Sequence, residues 1–347
     1  MKVSIIIPTF NRFDQLNRTL SALMKLKTDI LLFEIIVIDN GSTDSTKNVV
    51  QKHIDLNNSK AIYYHYDAEP GLLTGRHLGA KLAKGDILTF IDDDVQVSET
   101  WLDTIIEVMQ NKPEVAFLTG SNLPKYESNP PYWLGYFWRK VPNGKYCSWL
   151  SLLYLGNKIQ EIHPNFVWGL NFTIRKNVFV ELGGFHPDCI PKSLQKFQGD
   201  GETGLTKKGF EKGYKALYHP KVKLFHEVPS SRLTFEYFDQ RAYYNGVGKS
   251  FSELRLQNGF YDKVNEIQIK KKSNFIKIKS KLNEILLYFG FFKNDKIPIE
   301  IENLKKRFLQ KEKEGFQFHQ NMFQENQEVK NWVLKQDYFN YKLPNHD

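Results

Sequence analysis

Ile87-Leu88-Thr89-Phe90-Ile91-Asp92-Asp93-Asp94-Val95 joins an apolar, partly β-branched run to three adjacent carboxylates. The run reads as a buried strand with the carboxylates at its carboxyl-terminal tip. Neighbouring anions repel, so such a cluster calls for a cation or strong hydrogen-bond donors among them. A hard divalent ion, Mg2+ or Mn2+, held by one or two carboxylates and a substrate's phosphates suits this ligand set better than an all-protein Ca2+ cage. An isolated Asp triplet is more often a solvated turn ending a strand, so its context decides.

Upstream, Val3 to Ile7 is a β-branched run stopped by Pro8, followed by Phe13, Leu16, Leu20 and Leu23 at helical spacing. Glu34 to Ile38 reads as a second strand ending at Asp39, and Gly41-Ser42-Thr43-Asp44 supplies turn and N-cap chemistry for a helix running towards Ile54. Ala61 to Tyr66 is a third strand and Leu73 to Ala83 a helix. Strands alternating with helices imply a parallel sheet sandwiched by helices. Ligands of such sheets bind beyond the carboxyl ends of the strands, so Pro8, Asp39 and Asp92 to Asp94 should converge on one crevice.

Downstream, Pro124 to Trp149 loses its period and is rich in Pro, Tyr and Trp, as expected of a long substrate-facing loop. Asn165 to Ile174 reads as a strand, Lys176 to Leu182 as a short helix, Gly199 to Gly213 as a turn and helix, and Lys215 to Phe225 as extended chain. Gly199 to Gly204 formally satisfies G-x-G-x-x-G, but no strand precedes it, and Asp200 and Glu202 would set negative charge where a pyrophosphate must sit. Leu205 also stands where a Walker A loop needs lysine. What remains is two carboxylates at a helix start, a platform for a general base or simply acidic residues favoured by the helix dipole. His226 ends an extended apolar run and gains weight as a ligand only if the fold carries it to the triplet.

The chain has 347 residues, 14% aromatic, with a formal net charge of +9, which suggests anionic partners. No helix-turn-helix, zinc finger or aromatic RNA-binding signature accompanies that charge, so nucleic acid is not an expected partner. Cys147 and Cys189 are two thiols without a disulfide framework or zinc spacing, and no signal peptide is apparent. A cytoplasmic location is therefore expected. The patch Ile285 to Phe292 is too short to span a bilayer. Beyond about Phe251 the composition shifts to Lys, Asn, Glu and Gln. Lys270-Lys271-Lys272, continuing through Lys277, Lys279 and Lys281 with Phe275, Ile276 and Ile278 between them, reads either as a solvated helix face or as a contact to acidic lipid. Peripheral association with the cytoplasmic membrane face, or homo-oligomerisation, is the expectation for this tail.

Taken in order, these segments resemble a family 2 glycosyltransferase of the GT-A fold. The matching residues are Ser4 to Arg12, Glu34 to Asp44, Pro70-Gly71-Leu72 with Arg76 and Gly79, Lys84 to Asp94, and Gly183-Gly184-Phe185, with Glu202 and Leu205 as the late acidic motif and then His226. The resemblance covers about residues 1 to 250. It implies a Rossmann-like, mostly parallel α/β sheet flanked by helices, divided into a nucleotide-sugar-binding half (1–120) and an acceptor-binding half (121–250), with a helical C-terminal extension (251–347). It also implies inverting, non-processive transfer from a UDP- or GDP-sugar to a saccharide or lipid-linked acceptor. In that scheme Asp39 accepts a hydrogen bond from the nucleobase, Pro8 and Thr9 lie along the nucleoside, and Arg12 or Arg76 is near the diphosphate. Asp92 and Asp93 contact ribose or the metal's water shell, Asp94 and His226 ligate Mn2+ or Mg2+, and Trp168 and Asn171 meet the acceptor. Glu202 is the base, with Asp200 its rival two residues away. Asn40, His77 and Gly201 depart from the common family pattern. A sugar-1-phosphate nucleotidyltransferase is the competing enzyme class, although Pro8 to Arg12 lacks the Gly-rich loop it needs; a non-catalytic carbohydrate-binding relative is a further alternative, suggested by Tyr132, Trp133, Tyr136, Trp138 and Trp168.

Overall fold

The computed structural model describes residues 1–56, 61–261 and 297–344. Its first part is a strand and helix alternation: β1 (Val3–Thr9), α1 (Phe13–Leu23), β2 (Phe33–Asp39), α2 (Thr46–Leu56), β3 (Ile62–Tyr66), α3 (Leu72–Leu82) and β4 (Ile87–Ile91). There follow β5 (Val95–Val97), α4 (Trp101–Asn111), β6 (Val115–Thr119), β7 (Asn122–Tyr126), β8 (Arg139–Val141), β9 (Gly144–Cys147), β10 (Leu152–Tyr154), β11 (Gln160–Ile162) and β12 (Asn171–Arg175). The chain continues through α5 (Lys176–Glu181), α6 (Glu202–Glu211), β13 (Lys215–Tyr218), β14 (Leu224–Val228) and α7 (Phe235–Gln257). Beyond residue 296 come α8 (Ile299–Glu325) and α9 (Gln327–Val333).

The main sheet has the order β11-β13-β6-β12-β4-β1-β2-β3. β1 lies parallel to β2 and β4, β2 to β3, and β6 to β13, whereas β12 is inserted antiparallel between β4 and β6. Both faces are covered, which is why β1 and β2 are apolar without interruption. Ile5, Ile7, Ile35 and Val37 pack with Leu16 and Leu20 of α1, while Ile6, Ile36 and Ile38 pack with Leu73 and Ala80 of α3 and with Phe90. The pairing of Thr9 with Asp39, and of Asp39 with Tyr66, brings these strand ends level. The expected mostly parallel α/β sandwich is therefore present.

A second sheet, β5-β14-β7-β10-β9-β8, corrects the expectation of a long loop from Pro124 to Trp149. That stretch holds strands of three to five residues and a short 3-10 turn, Tyr132–Phe137, whose Trp133 and Leu134 are buried. Strands so short carry too few alternations to register as a period. The predicted strand from Asn165 begins only at Asn171, after a 3-10 turn at Pro164–Phe166. The predicted extended run from Lys215 to Phe225 is split between two sheets, with a turn closed by Val222 N–H on the His219 carbonyl. The split positions the site: β14 pairs antiparallel with β5, setting His226 opposite Val95 and next to Asp94.

The described residues 297–344 are largely helical and pack against the body. α7 runs through the boundary expected near residue 250, and Phe308 of α8 packs with Trp133 and Phe238. Val329 and Trp332 of α9, with Tyr338 and Leu343, close over Ile190, Phe197 and Phe251. Leu343 N–H reaches Glu69 Oε1 at 3.1 Å and Tyr338 N–H the Gly183 carbonyl at 3.1 Å, so the chain end returns to the first half. The basic stretch from Lys270 to Lys281 lies outside the described residues. Among the described residues, no helix is long and apolar enough to cross a membrane.

Candidate active site

The ends of β1 and β4, the start of α6 and one face of α7 border a cleft of about 1430 Å³. Asp92 and Asp93 line it, Asp94 is buried beside them, and arginines neutralise all three. Asp93 accepts from Thr9 Oγ1 at 2.7 Å and pairs with Arg12 Nη1 at 2.9 Å. Asp94 Oδ2 is shared by Arg12 Nη2 at 2.7 Å and Arg232 Nη2 at 3.1 Å. Arg76, 1% exposed, donates from Nη2 to Asp92 Oδ1 and from Nη1 to Glu202 Oε1, both at 2.6 Å. Burial pushes the Asp93 carboxyl up to about 7 against the pull of Arg12, with Asp94 and Asp92 adding to the rise. Burial also opposes ionisation of Asp94, but the charges of Arg12 and Arg232 prevail and hold it below the usual carboxylate range.

His226 is oriented by two neighbours of fixed polarity. Its Nδ1 faces the Leu150 carbonyl at 3.0 Å, so the proton is on Nδ1; Arg232 Nη1 donates to Nε2 at 2.8 Å, so Nε2 presents its lone pair. Asp94 Oδ1 is buried without a hydrogen bond and lies 3.5 Å from that Nε2. An orphaned carboxylate oxygen 3.5 Å from an imidazole nitrogen fits a divalent ion that would displace the Arg232 hydrogen bond from Nε2 and take its remaining ligands from substrate and water. Among the described residues no cluster of three or more His, Cys, Asp or Glu could hold a metal unaided. Arg232, which shares both Asp94 and His226, had no signal in the sequence because it follows β14 in unpatterned chain.

Glu202 opens α6 and its side chain is 25% exposed to the cleft. Only Oε1 is held, by Arg76; no hydrogen bond to Oε2 is present among the described residues. A Cβ at Gly169 would overlap Glu202 Oε1 and Arg76 Nη1, so the glycine makes room for this pair. Asp200, the rival base, is differently placed. Its side chain is 4% exposed, and its oxygens accept from His186 Nδ1 at 2.6 Å and from Ser252 Oγ. His186 Nε2 is buried without a partner, so His186 carries its proton on Nδ1, and burial lowers its pKa to about 4 despite Asp200. Asp200 is thus committed to a buried hydrogen-bond network. Asp188, which sequence reading missed, lines the same cleft; burial, then the charge of Glu202, raises its pKa to about 6. Its Oδ2 lies where a Cβ on Gly201 would go, and Gly201 has φ +60, so glycine is needed there on both counts.

At the other end Pro8, Thr9, Arg12 and Asn40 line the cleft, whereas Asp39 lies behind it, 1% exposed. Asp39 accepts from Ser42 N–H at 2.8 Å and from Tyr64 Oη at 2.7 Å. Of the residues expected at the acceptor, Trp168 lines the cleft but Asn171 does not. Asn171 is fully buried, bonded to Trp101 Nε1, Asn122 Oδ1 and the Val222 carbonyl, and pins the main sheet to its surroundings. A polar residue at a strand start gives no sign of which side it faces. Asn40 Nδ2 donates to the Glu69 carbonyl, and His77 Nε2 accepts from Phe185 N–H, so both departures from the family pattern have local hydrogen-bond partners.

Residues 4–183 match the family model described as glycosyl transferase family 2. The glucosyl-dolichyl phosphate glucuronosyltransferase of Haloferax volcanii is 21% identical over 267 residues, covering 76% of this chain and 81% of that protein. Validoxylamine A glucosyltransferase of Streptomyces hygroscopicus subsp. jinggangensis is 34% identical over 104 residues, covering 30% of this chain but only 24% of that protein. Among solved structures, mannosyltransferase PcManGT from Pyrobaculum calidifontis, in complex with GDP-Man and Mn2+, superposes with TM-score 0.51 at 17% identity, over 73% of this chain and 64% of that one. S. aureus TarS 1-349 gives TM-score 0.50 at 16% identity, over 93% and 91%. At these identities the structures establish a shared GT-A fold.

Proposed function

The chain belongs to glycosyl transferase family 2, and from that premise we propose that it moves one sugar, with inversion, from a UDP- or GDP-sugar to a hydroxyl of a saccharide or lipid-linked acceptor. The observation that carries this reading is the convergence of Thr9, Asp92, Asp93, His226 and Glu202 on one cleft, from strands and a helix far apart in sequence, with Asp94 buried behind them against Arg12 and Arg232. Pro8, Thr9 and Asn40 border the end assigned to the nucleoside, and Asp39 supports that wall through Ser42 and Tyr64. Residues 1–120 are accordingly read as the nucleotide-sugar half and 121–250 as the acceptor half.

Asp94 and His226 are the residues assigned to hold Mn2+ or Mg2+. When bound, such an ion neutralises charge that develops on a departing diphosphate. Arg12 and Arg232 already supply positive charge beside the same carboxylate, and Arg232 is 24% exposed, within reach of a substrate anion. Glu202 is assigned as the base that takes the acceptor hydroxyl's proton through its open Oε2, while Arg76 fixes its direction. Asp92, held by the same guanidinium, is assigned to the donor side. Incubation of the full chain with UDP- and GDP-sugars, Mn2+ and simple acceptors tests the proposal. Sugar transfer or donor hydrolysis releasing nucleoside diphosphate supports it; pyrophosphate release indicates nucleotidyl transfer, and binding without turnover indicates a non-catalytic relative.

A further inference from the structure

One face of α7 runs along the acceptor side of the cleft, with Tyr237, Arg241, Tyr244, Asn245, Gly248 and Ser252 recurring at helical spacing. The cations bordering the cleft are not equivalent. Arg12, Arg76 and Arg232 pair with carboxylates of the site, Lys249 pairs with Glu312 at 2.5 Å, and Lys207 lies over the Tyr261 ring at 3.9 Å. Arg241 has no carboxylate within ion-pair distance and no hydrogen-bond acceptor among the described residues; its Nε is sealed from solvent and unpartnered. Asp188 and Glu202 act on it through space without closing an ion pair. The sealed Nε forfeits hydration, and the Nη groups, which find no protein acceptor among the described residues, are left for water or a ligand in the cleft.

We propose that Arg241 receives an anionic group of the acceptor, a phosphate or carboxylate close to the hydroxyl that is glycosylated. This rests on the glycosyltransferase reading of the cleft and narrows its acceptor class. The fork of a guanidinium matches either oxyanion in a two-point contact, which a neutral sugar cannot supply. The position suits the acceptor, since Arg241 shares its electrostatic surroundings with Asp188 and Glu202, whereas Arg12 and Arg232 stand by the triplet at the donor side.

The test is calorimetric titration of the full chain with glucose, glucose 6-phosphate and glucuronate, each with and without saturating nucleoside diphosphate and Mg2+. Nucleotide blocks the triplet-side cations, so an anion preference that survives its addition belongs elsewhere. Wild type should favour at least one charged probe over glucose by about tenfold or more, as expected of a charge-assisted contact. Arg241→Gln should lose that preference and Arg241→Lys retain part of it. The phosphate and carboxylate arms distinguish the two anions. Equal binding of all three sugars by wild type, or an undiminished preference in Arg241→Gln, overturns the proposal. Failure of wild type to bind either UDP or GDP counts against the transferase reading alone, because the nucleotide-free comparison still reports on Arg241.

Discussion

Asp92 and Glu202 are held by the two terminal nitrogens of one buried guanidinium, that of Arg76, at 2.6 Å each. The triplet at the tip of β4 and the carboxylate at the start of α6 are therefore mechanically joined. A shift of either changes the other, which ties the donor side of the cleft to the proposed base.

Arg76 should consequently be needed for folding as well as for turnover. Removing one member of a buried ion-paired group leaves uncompensated charge and costs about 3–5 kcal/mol. Arg76→Met is expected to lose stability on that scale in urea unfolding, with Arg76→Lys intermediate because a single ammonium cannot reproduce the fork. Wild-type stability in Arg76→Met would show that the pairing carries no structural weight.

Glu202→Gln preserves size and an acceptor for Arg76 but cannot take up the proton. Transfer should fall by roughly 10²-fold or more with donor affinity nearly unchanged. Asp200→Asn should act chiefly on stability, since Asp200 is bonded to His186 and Ser252. If Asp188→Asn gives the larger loss of turnover and Glu202→Gln stays active, the base is Asp188.

Gly169→Ala tests the same pair from outside it, because the added methyl would displace Glu202 or Arg76. The expected cost is about 1–3 kcal/mol of stability, as for overpacking, together with a fall in kcat that exceeds any change in nucleotide affinity. Full activity in this variant would mean that the observed pairing is not needed for turnover.

Acid sensitivity should trace in part to His77. Burial, with smaller contributions from Lys81, His186 and Arg76, lowers its pKa to about 3, and Nε2 accepts the Phe185 N–H, so the folded state keeps it unprotonated. The unfolded chain takes up a proton near the ordinary histidine value, about 6.5. Between these values the unfolded state binds more protons, so this contribution to stability falls as pH falls, by about 1.4 kcal/mol per unit. It is constant above that window. His319, lowered to about 4 by burial, acts in the same sense, while Asp93 and Asp188, raised, act in the opposite sense. The informative measurement is therefore the difference between wild type and His77→Asn in urea unfolding at pH 7, 6 and 5. The gap in favour of wild type should narrow, or the gap against it widen, as pH drops; a gap independent of pH removes His77 from the account.

What could be read in the sequence followed burial. β1, β2 and β4 are covered on both faces and stand out as apolar runs, and α1 repeats Leu16, Leu20 and Leu23 on one side. β8 to β10 are three or four residues long and left no such trace. The triplet, Arg12, Arg76, Glu202 and His226 were recognisable as chemistry-bearing residues. Their pairing was not, because it depends on β14 crossing to β5 and on α6 facing β4, relations between segments that no local pattern encodes. Arg232, Asp188 and Arg241 were missed for that reason, and Asn171 looked available although its hydrogen bonds are directed into the interior.

The assignment of Asp94 to the metal is tested most directly by the linkage between metal and nucleotide. Melting temperatures of the full chain would be measured with UDP and with GDP, each with and without Mn2+, in wild type and Asp94→Ala. A ligand that binds only the native state raises its stability by mass action. One nucleoside diphosphate with Mn2+ should stabilise wild type by more than the sum of the separate effects, and this excess should vanish in a folded Asp94→Ala protein. An excess of equal size in Asp94→Ala, or no stabilisation of wild type by either nucleotide with Mn2+, would contradict that assignment.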